Sequence, residues 1–362
     1  MSNPHRPHLP PEILDYIVDL LHDKPETLKQ CCLVSKSWVS RTREHLFANV
    51  GFFTADDLEV WKQTFPDPIR SPARHTRTLS IHCIWAIEEA DAEEGGWIPT
   101  FSRVNGVRLR VRTDPTSRDE LEIPPTLFHK LSPLLKSLHV VTIFFQCSRF
   151  WNVIQTLPLL EDLTLISYGG GKWESLPVVY LSASPTFTGT LELDLYAMEA
   201  VTCRLLGLPN GVHFRRLVFS WRRQQDLRWM EELVAACSHT LESLDVTHHL
   251  FSYTSPASID LSKATKLRDV TFRPGSLGVA WVTMAFQSVS PEHRDLQQVS
   301  ICLRYDLVLI ATEPDGMQAV GRQWLDLDHL LVQFWESRSI RTKLVRWAPE
   351  DELQDVWDNK VG

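Results

Sequence analysis

A short apolar-x-apolar unit returns along this chain at nearly constant spacing, and few folds tolerate such a pattern. The units are Leu79-Ser-Ile81, Val107-Arg-Leu109, Leu138-His-Val140, Leu163-Thr-Leu165, Leu191-Glu-Leu193, Leu217-Val-Phe219, Leu244-Asp-Val246, Val270-Thr-Phe272 and Val299-Ser-Ile301. From 79 to 299 they span 220 residues in eight steps of 25 to 31, about 27 per step. Alternation with period two marks strands that bury one face. Helical spacing lies between them: Asp56 to Phe65, Phe150 to Leu157, Trp229 to Cys237 and Trp324 to Trp335. Two more strands are expected, near Ala48–Phe53 and over Lys343–Trp347. Strand alternating with helix at a fixed period predicts an α/β array of parallel strands with helices on the other face.

In such an array the residues between the apolar ones point away from the core, because strand side chains alternate. They give an ordered polar strip. It runs through Ser80, His82, Arg108, Arg110, His139, Thr164, Glu192, Asp194, Ser220, Asp245, Thr247, Thr271, Arg273 and Ser300. It is basic near Arg108 and Arg110 and acidic around Glu192, Asp194 and Asp245, a segregation suited to orienting a partner. Candidate target contacts are therefore His82, Arg108, Arg110, His139, Glu192, Asp194, Asp245 and Arg273. The plain alternative is that exposed strand faces are polar anyway. Trp97, Trp173, Trp221, Arg222 and Arg223 fall in loops and are of the residue types that anchor interfaces.

The segment from Leu9 to Phe47 is a different object, all helical pattern. Pro10, Pro11 and Glu12 suit a helix start. Ile13, Leu14, Ile17, Val18, Leu20 and Leu21 then form a wide apolar stripe. Asp23 with Glu26 reads as a capping pair around Pro25, opening a second helix that carries Leu28, Cys31, Cys32, Leu33 and Val34. A third piece holds Trp38, with Lys36, Arg41 and Arg43 on its solvated side. Three short helices cannot bury all of these apolar residues, so one face is left for a partner or for the first turn of the array.

Two resemblances follow from these residues. Leu9-Pro10-Pro11-Glu12 and Leu33-Val34-Ser35-Lys36-Ser37-Trp38, in order and 21 residues apart from Glu12 to Leu33, resemble the opening and closing signatures of the F-box. Leu160-x-x-Leu163-x-Leu165 and Leu241-x-x-Leu244-x-Val246 resemble leucine-rich repeats in degenerate form. Together they look like the large fungal-type F-box family. The resemblance implies an F-box helical domain over 1–47 and a curved leucine-rich-repeat solenoid over 48–362, with strands on its concave face and helices on its convex face. It also implies a substrate receptor of a Skp–cullin–F-box ubiquitin ligase. The Skp-type adaptor would dock on Leu9, Pro10, Ile13, Leu14, Ile17, Leu20, Leu28, Leu33 and Val34, with Trp38 holding the helices together. The array would present an unidentified target protein. The alternative is a non-catalytic repeat scaffold whose helical head only caps the array.

Other chemistry finds little footing. The net charge of −8 argues against a general binder of nucleic acid or anionic membrane. Seven scattered cysteines without a C-x-x-C pair read as reduced thiols. Gly169-Gly170-Gly171-Lys172 lacks the spacing of a phosphate loop, and the acidic run Glu88–Glu94 lacks the glycine of a calcium loop. His5, His8, His248 and His249 read as surface histidines without metal-site spacing. No cofactor, metal or catalytic residue is expected. The N-terminal stretch lacks the apolar core of a signal peptide, and no apolar run reaches the roughly 20 residues of a membrane span. The expected location is cytoplasm or nucleus.

Overall fold

The computed structural model describes residues 10–82, 97–111, 135–142, 151, 154, 157–167, 185–195, 198–248, 259–274, 279–289, 293–304, 322, 324–333 and 341–347. Outside them lie the acidic run, the Gly169–Lys172 run, Trp173, Leu9, His5, His8 and His249. The chain is α/β, and its described residues fall into two compact units. One runs to Arg110 and includes Leu135; the other takes in the residues from Lys136 onward.

The first unit opens with three helices: α1 (Pro11–Asp19), α2 (Pro25–Val34) and α3 (Lys36–Leu46). Both α1 and α2 start on proline, whose missing amide had no partner there. Ser35 interrupts the helical run with an extended backbone, φ −154° and ψ 141°, and its Oγ accepts from the Ser37 amide at 3.3 Å. One residue thus ends α2 and caps α3. The expected Asp23–Glu26 capping pair does not form. The cap position falls on Lys24, one residue later, without a side-chain bond, and Glu26 pairs with Lys29 at 2.6 Å.

Next come β1 (Asn49–Phe52), α4 (Ala55–Thr64), β2 (Thr78–Ile81) and β3 (Gly106–Val111). The Asp57 carboxylate accepts from the Phe53 and Thr54 amides at 2.6 and 2.8 Å, tying the start of α4 to the end of β1. The strands pair in parallel, with Val50, Leu79 and Val107 in one row. Trp61 of α4 packs among Phe47, Phe52, Phe65 and Phe101 with ring centroids 4.8–6.0 Å away.

In the second unit the strands are β4 (Ser137–Thr142), β5 (Asp162–Ser167), β6 (Thr190–Leu195) and β7 (Arg216–Trp221). They continue as β8 (Ser243–His248), β9 (Asp269–Arg273), β10 (Gln298–Arg304) and β11 (Arg341–Trp347). Each pairs in parallel with the next. Leu138, Leu163, Leu191, Leu217, Leu244, Val270 and Val299 stand in one register row, and every one is buried. Val140, Leu165, Leu193, Phe219, Val246, Phe272 and Ile301 form a second buried row. Each such side chain contributes roughly 1.5–3 kcal/mol on burial.

Between strands lie α5 (Glu199–Leu206), α6 (Gln224–Ala236) and α7 (Val279–Gln287), and residues 324–333 are helical. Among the described residues no helix is long and apolar enough to cross a membrane.

The repeat is written into the backbone as well as the core. The carbonyl just before one strand accepts the two amides that open the next. Lys136 O takes Glu161 and Asp162 N at 2.7 and 2.9 Å, and Arg215 O takes Glu242 and Ser243 N at 2.8 and 2.9 Å. Glu242 O takes Arg268 and Asp269 N at 2.7 and 3.1 Å, and Arg268 O takes Gln297 and Gln298 N at 2.8 and 3.0 Å. The first unit does the same at Ala48 and Arg77. At β6 the motif is modified: Gly189 N reaches Glu161 O at 3.1 Å, but Thr190 N goes to the Asp162 carboxylate at 2.6 Å. That substitution needs a glycine, since a Cβ at 189 would sit 2.2 Å from Asp162 Oδ1.

Candidate interaction surfaces

The three helices of the first unit divide their apolar residues between an inner and an outer face. Val18, Leu28 and Cys31 are buried, with Leu14, Ile17 and Leu21 half-buried. Ile13, Tyr16 and Leu20 stand exposed at helical spacing on α1, Tyr16 by 61% of its surface. Leu33 and Val34 are exposed at the end of α2, Leu33 by 88%. Pro10 is exposed too. Leu28, grouped by sequence with the docking residues, is only 1% exposed and belongs to the packing between helices. Trp38 is half-buried, and its carbonyl accepts from the buried Thr42 hydroxyl. Tyr16 lies outside the aliphatic stripe named from the sequence; its place three residues after Ile13 is the signal that finds it.

An ion-pair cluster fixes α1 on α3. Arg41 donates to both Asp19 carboxylate oxygens at 2.6 and 2.7 Å, and His45 Nε2 lies 2.7 Å from Oδ1. The Arg41 bond first, then that of His45, holds the Asp19 carboxyl well below the usual carboxylate range. The same bond to Asp19 raises the Arg41 pKa. Arg41, expected on the solvated side, is therefore turned inward against α1. Ile13, Tyr16, Leu20, Leu33 and Val34 are nevertheless left outward.

The outward strip of the sheet divides between the units. In the first, Arg108 is exposed, Arg110 half-buried, and His82 half-buried with the Phe53 ring edge-on at 4.6 Å. In the second, His139, Thr164, Glu192, Val218, Asp245, Thr271, Ser300 and Lys343 form one register row. Two residues further along the strands runs another row: Ile166, Asp194, Ser220, Thr247 and Arg273.

Charges on these rows meet diagonally. Arg222 reaches Asp194 at 3.1 Å and Arg273 reaches Asp245 at 2.9 Å, each arginine lying two residues beyond the register partner of its carboxylate. Among the described residues Glu192 is hydrogen-bonded by a hydroxyl alone: Thr164 donates to it at 3.2 Å. Burial pushes the Glu192 carboxyl up, against the pull of that hydroxyl and of the Arg216 charge. Burial raises Asp245 as well, with Arg273 and Arg216 opposing.

Two of the loop aromatics chosen as interface anchors are not at the surface. Trp97 and Trp221 are buried. His248 is buried as well, stacked on Trp221 at 4.0 Å, with Trp281 of α7 packing edge-on against both. Both Trp221 and His248 lie at the ends of strands beneath α7, which loop composition does not reveal. Arg223 is tied to Asp226 at 2.8 Å at the start of α6. Among the described residues no group of three or more His, Cys, Asp or Glu is placed to hold a metal ion. The chain matches no family model and no curated protein.

Proposed function

We propose that the chain is a substrate-receptor subunit of a Skp–cullin–F-box ubiquitin ligase. In this reading α1 to α3 are the F-box and dock on a Skp-type adaptor. The strands that follow are degenerate leucine-rich repeats whose outward strip receives the target protein. The chain supplies position and no bond-making group; transfer is accelerated by holding target and charged conjugating enzyme together.

The observation that supports this most is the surplus of apolar surface on the helical head. Ile13, Tyr16, Leu20, Leu33 and Val34 lie open to solvent, while the Asp19–Arg41–His45 cluster already holds the helices. Helices that only sealed a repeat array would turn such residues inward. The order Leu33-Val34-Ser35-Lys36-Ser37-Trp38 supports the F-box reading from the sequence side. The carbonyl that accepts two amides at most of the described strand entries supports the stacked-repeat reading of the remainder.

The test is co-purification of a Skp-type adaptor with the wild-type chain and with Ile13→Asp and Leu33→Asp. Both variants are expected to lose the adaptor while keeping the wild-type melting temperature. Adaptor affinity unchanged in both refutes the docking assignment. Targets trapped with the ubiquitin pathway blocked should accumulate when the chain is deleted; bound partners of unchanged lifetime favour a non-degradative scaffold instead.

A further inference from the structure

Within the second unit the outward face of β6 to β8 carries a charge arrangement left incomplete by its own residues. Asp194 is matched by Arg222 and one oxygen of Asp245 by Arg273. The other Asp245 oxygen, Oδ1, is buried without a hydrogen-bond partner among the described residues, on a side chain only 9% exposed. A buried acceptor left unpaired is destabilising, so a donor from elsewhere would be favoured there. Glu192, on the same register row, receives among the described residues only the Thr164 hydroxyl as a hydrogen bond, with Arg216 acting on it by charge alone. Val218 is the rung between the two carboxylates. With strands about 4.8 Å apart, the Glu192 and Asp245 backbones are about 10 Å apart across an aliphatic floor.

We propose that this row seats one basic side chain, a lysine or arginine of a partner polypeptide, with its aliphatic stem on Val218 and its charge between Glu192 and Asp245. The proposal rests on the reading of the strip as the target-binding face, and gives that face a chemical preference. A donor with several N–H groups fits because it can satisfy Asp245 Oδ1 and Glu192 together. The negative charge of Asp245 is felt at Glu192, which a guest cation would relieve. Arg216, two residues before Val218, is exposed and reaches neither carboxylate with a hydrogen bond; it borders the seat on one side and disfavours a second positive charge there. One basic residue is expected, not a basic run.

The experiment is selection of random heptapeptides on the purified full chain, followed by affinity measurement of the enriched peptides as synthesised. Enrichment of a single lysine or arginine position is expected. Its replacement by norleucine should weaken binding about tenfold or more, as should Glu192→Gln and Asp245→Asn. Glu199→Gln, on exposed surface of α5, should leave it unchanged. Circular dichroism of each variant checks folding; both test substitutions keep side-chain shape. The proposal is overturned by selection without a basic position, or by affinity indifferent to Glu192→Gln and Asp245→Asn in folded protein. Adaptor binding by the same preparation reads the receptor hypothesis separately. Adaptor bound without a basic preference sinks this inference alone, and loss of the adaptor sinks the receptor reading.

Discussion

Gly189→Ala is expected to cost far more than a methyl group on a strand edge usually does. The added Cβ would lie 2.2 Å from Asp162 Oδ1 and 3.0 Å from the Glu161 carbonyl, and the latter is backbone that cannot swing away. Asp162 must therefore leave the Thr190 amide it accepts from at 2.6 Å. An amide left unsatisfied costs about 1–3 kcal/mol and overpacking a further 1–3, so a loss of about 2–6 kcal/mol is expected. Gly106→Ala supplies the control at the entry to β3, where the nearest atom to the new Cβ is Thr78 Oγ1 at 3.5 Å, ordinary contact. It should be neutral or slightly stabilising, through a less flexible unfolded chain. Urea unfolding of both variants gives the comparison, and hydrogen exchange at Thr190 locates the damage. Asp162→Ala in the Gly189→Ala background should restore part of the loss, because the clash and the bond disappear together. Equal stability of Gly189→Ala and wild type, or strict additivity with Asp162→Ala, would refute the close-approach argument.

Other outcomes follow from the same structure. Leu28→Ala should cost about 2–5 kcal/mol by urea unfolding, whereas Leu33→Asp should stay within about 0.5, since one side chain is buried and the other exposed. Asp19→Ala removes the anchor of Arg41 and His45; with Asp19 37% exposed, about 1 kcal/mol is expected. The folded-state pKa of Asp19 lies below its unfolded value, so its contribution is complete above about pH 4 and fades as pH falls further. The stability difference between wild type and Asp19→Ala, measured by denaturation at pH 6 and pH 3, should therefore shrink in acid. Burial pushes the Cys237 thiol up to about 12, while Cys203 is exposed. Iodoacetamide at pH 8 should label Cys203 in the folded chain and Cys237 only after unfolding, as read by mass spectrometry.

All eleven strands were legible because alternation is a local signal that burial of one face imposes on every turn. Leu191-Glu-Leu193 announces β6 with no knowledge of its neighbours. Helices α5 and α7 were not, and for different reasons. Glu199–Leu206 is only eight residues, too short for a period to stand out, and Val279–Gln287 is apolar nearly all round, with no polar face to set one. The composition of the outward strip was readable, but its pairing was not. Asp194 meets Arg222 and Asp245 meets Arg273 across 28 residues because the step length and the two-residue diagonal combine. Either could have been sought once the period was known. Trp221, His248 and Arg41 misled because sequence reports residue type, whereas their burial depends on α7 and α1, which arrive from elsewhere in the chain.

The carbonyl that opens each following strand has a consequence for how this protein can change length. Most repeats take their starting position from the one before through a single backbone oxygen, whatever the side chain; at β6 the Asp162 carboxylate takes the second amide. Joining Arg215 directly to Ser243 would delete one whole turn yet present a carbonyl in the place of Glu242, ready for the Arg268 and Asp269 amides. Removing one residue more or fewer would bring the wrong face of β8 against the core. Growth and shrinkage by complete repeats are thus the permitted edits, and the sequence of a repeat can drift so long as its inward residues stay apolar and Gly189 is kept beside Asp162.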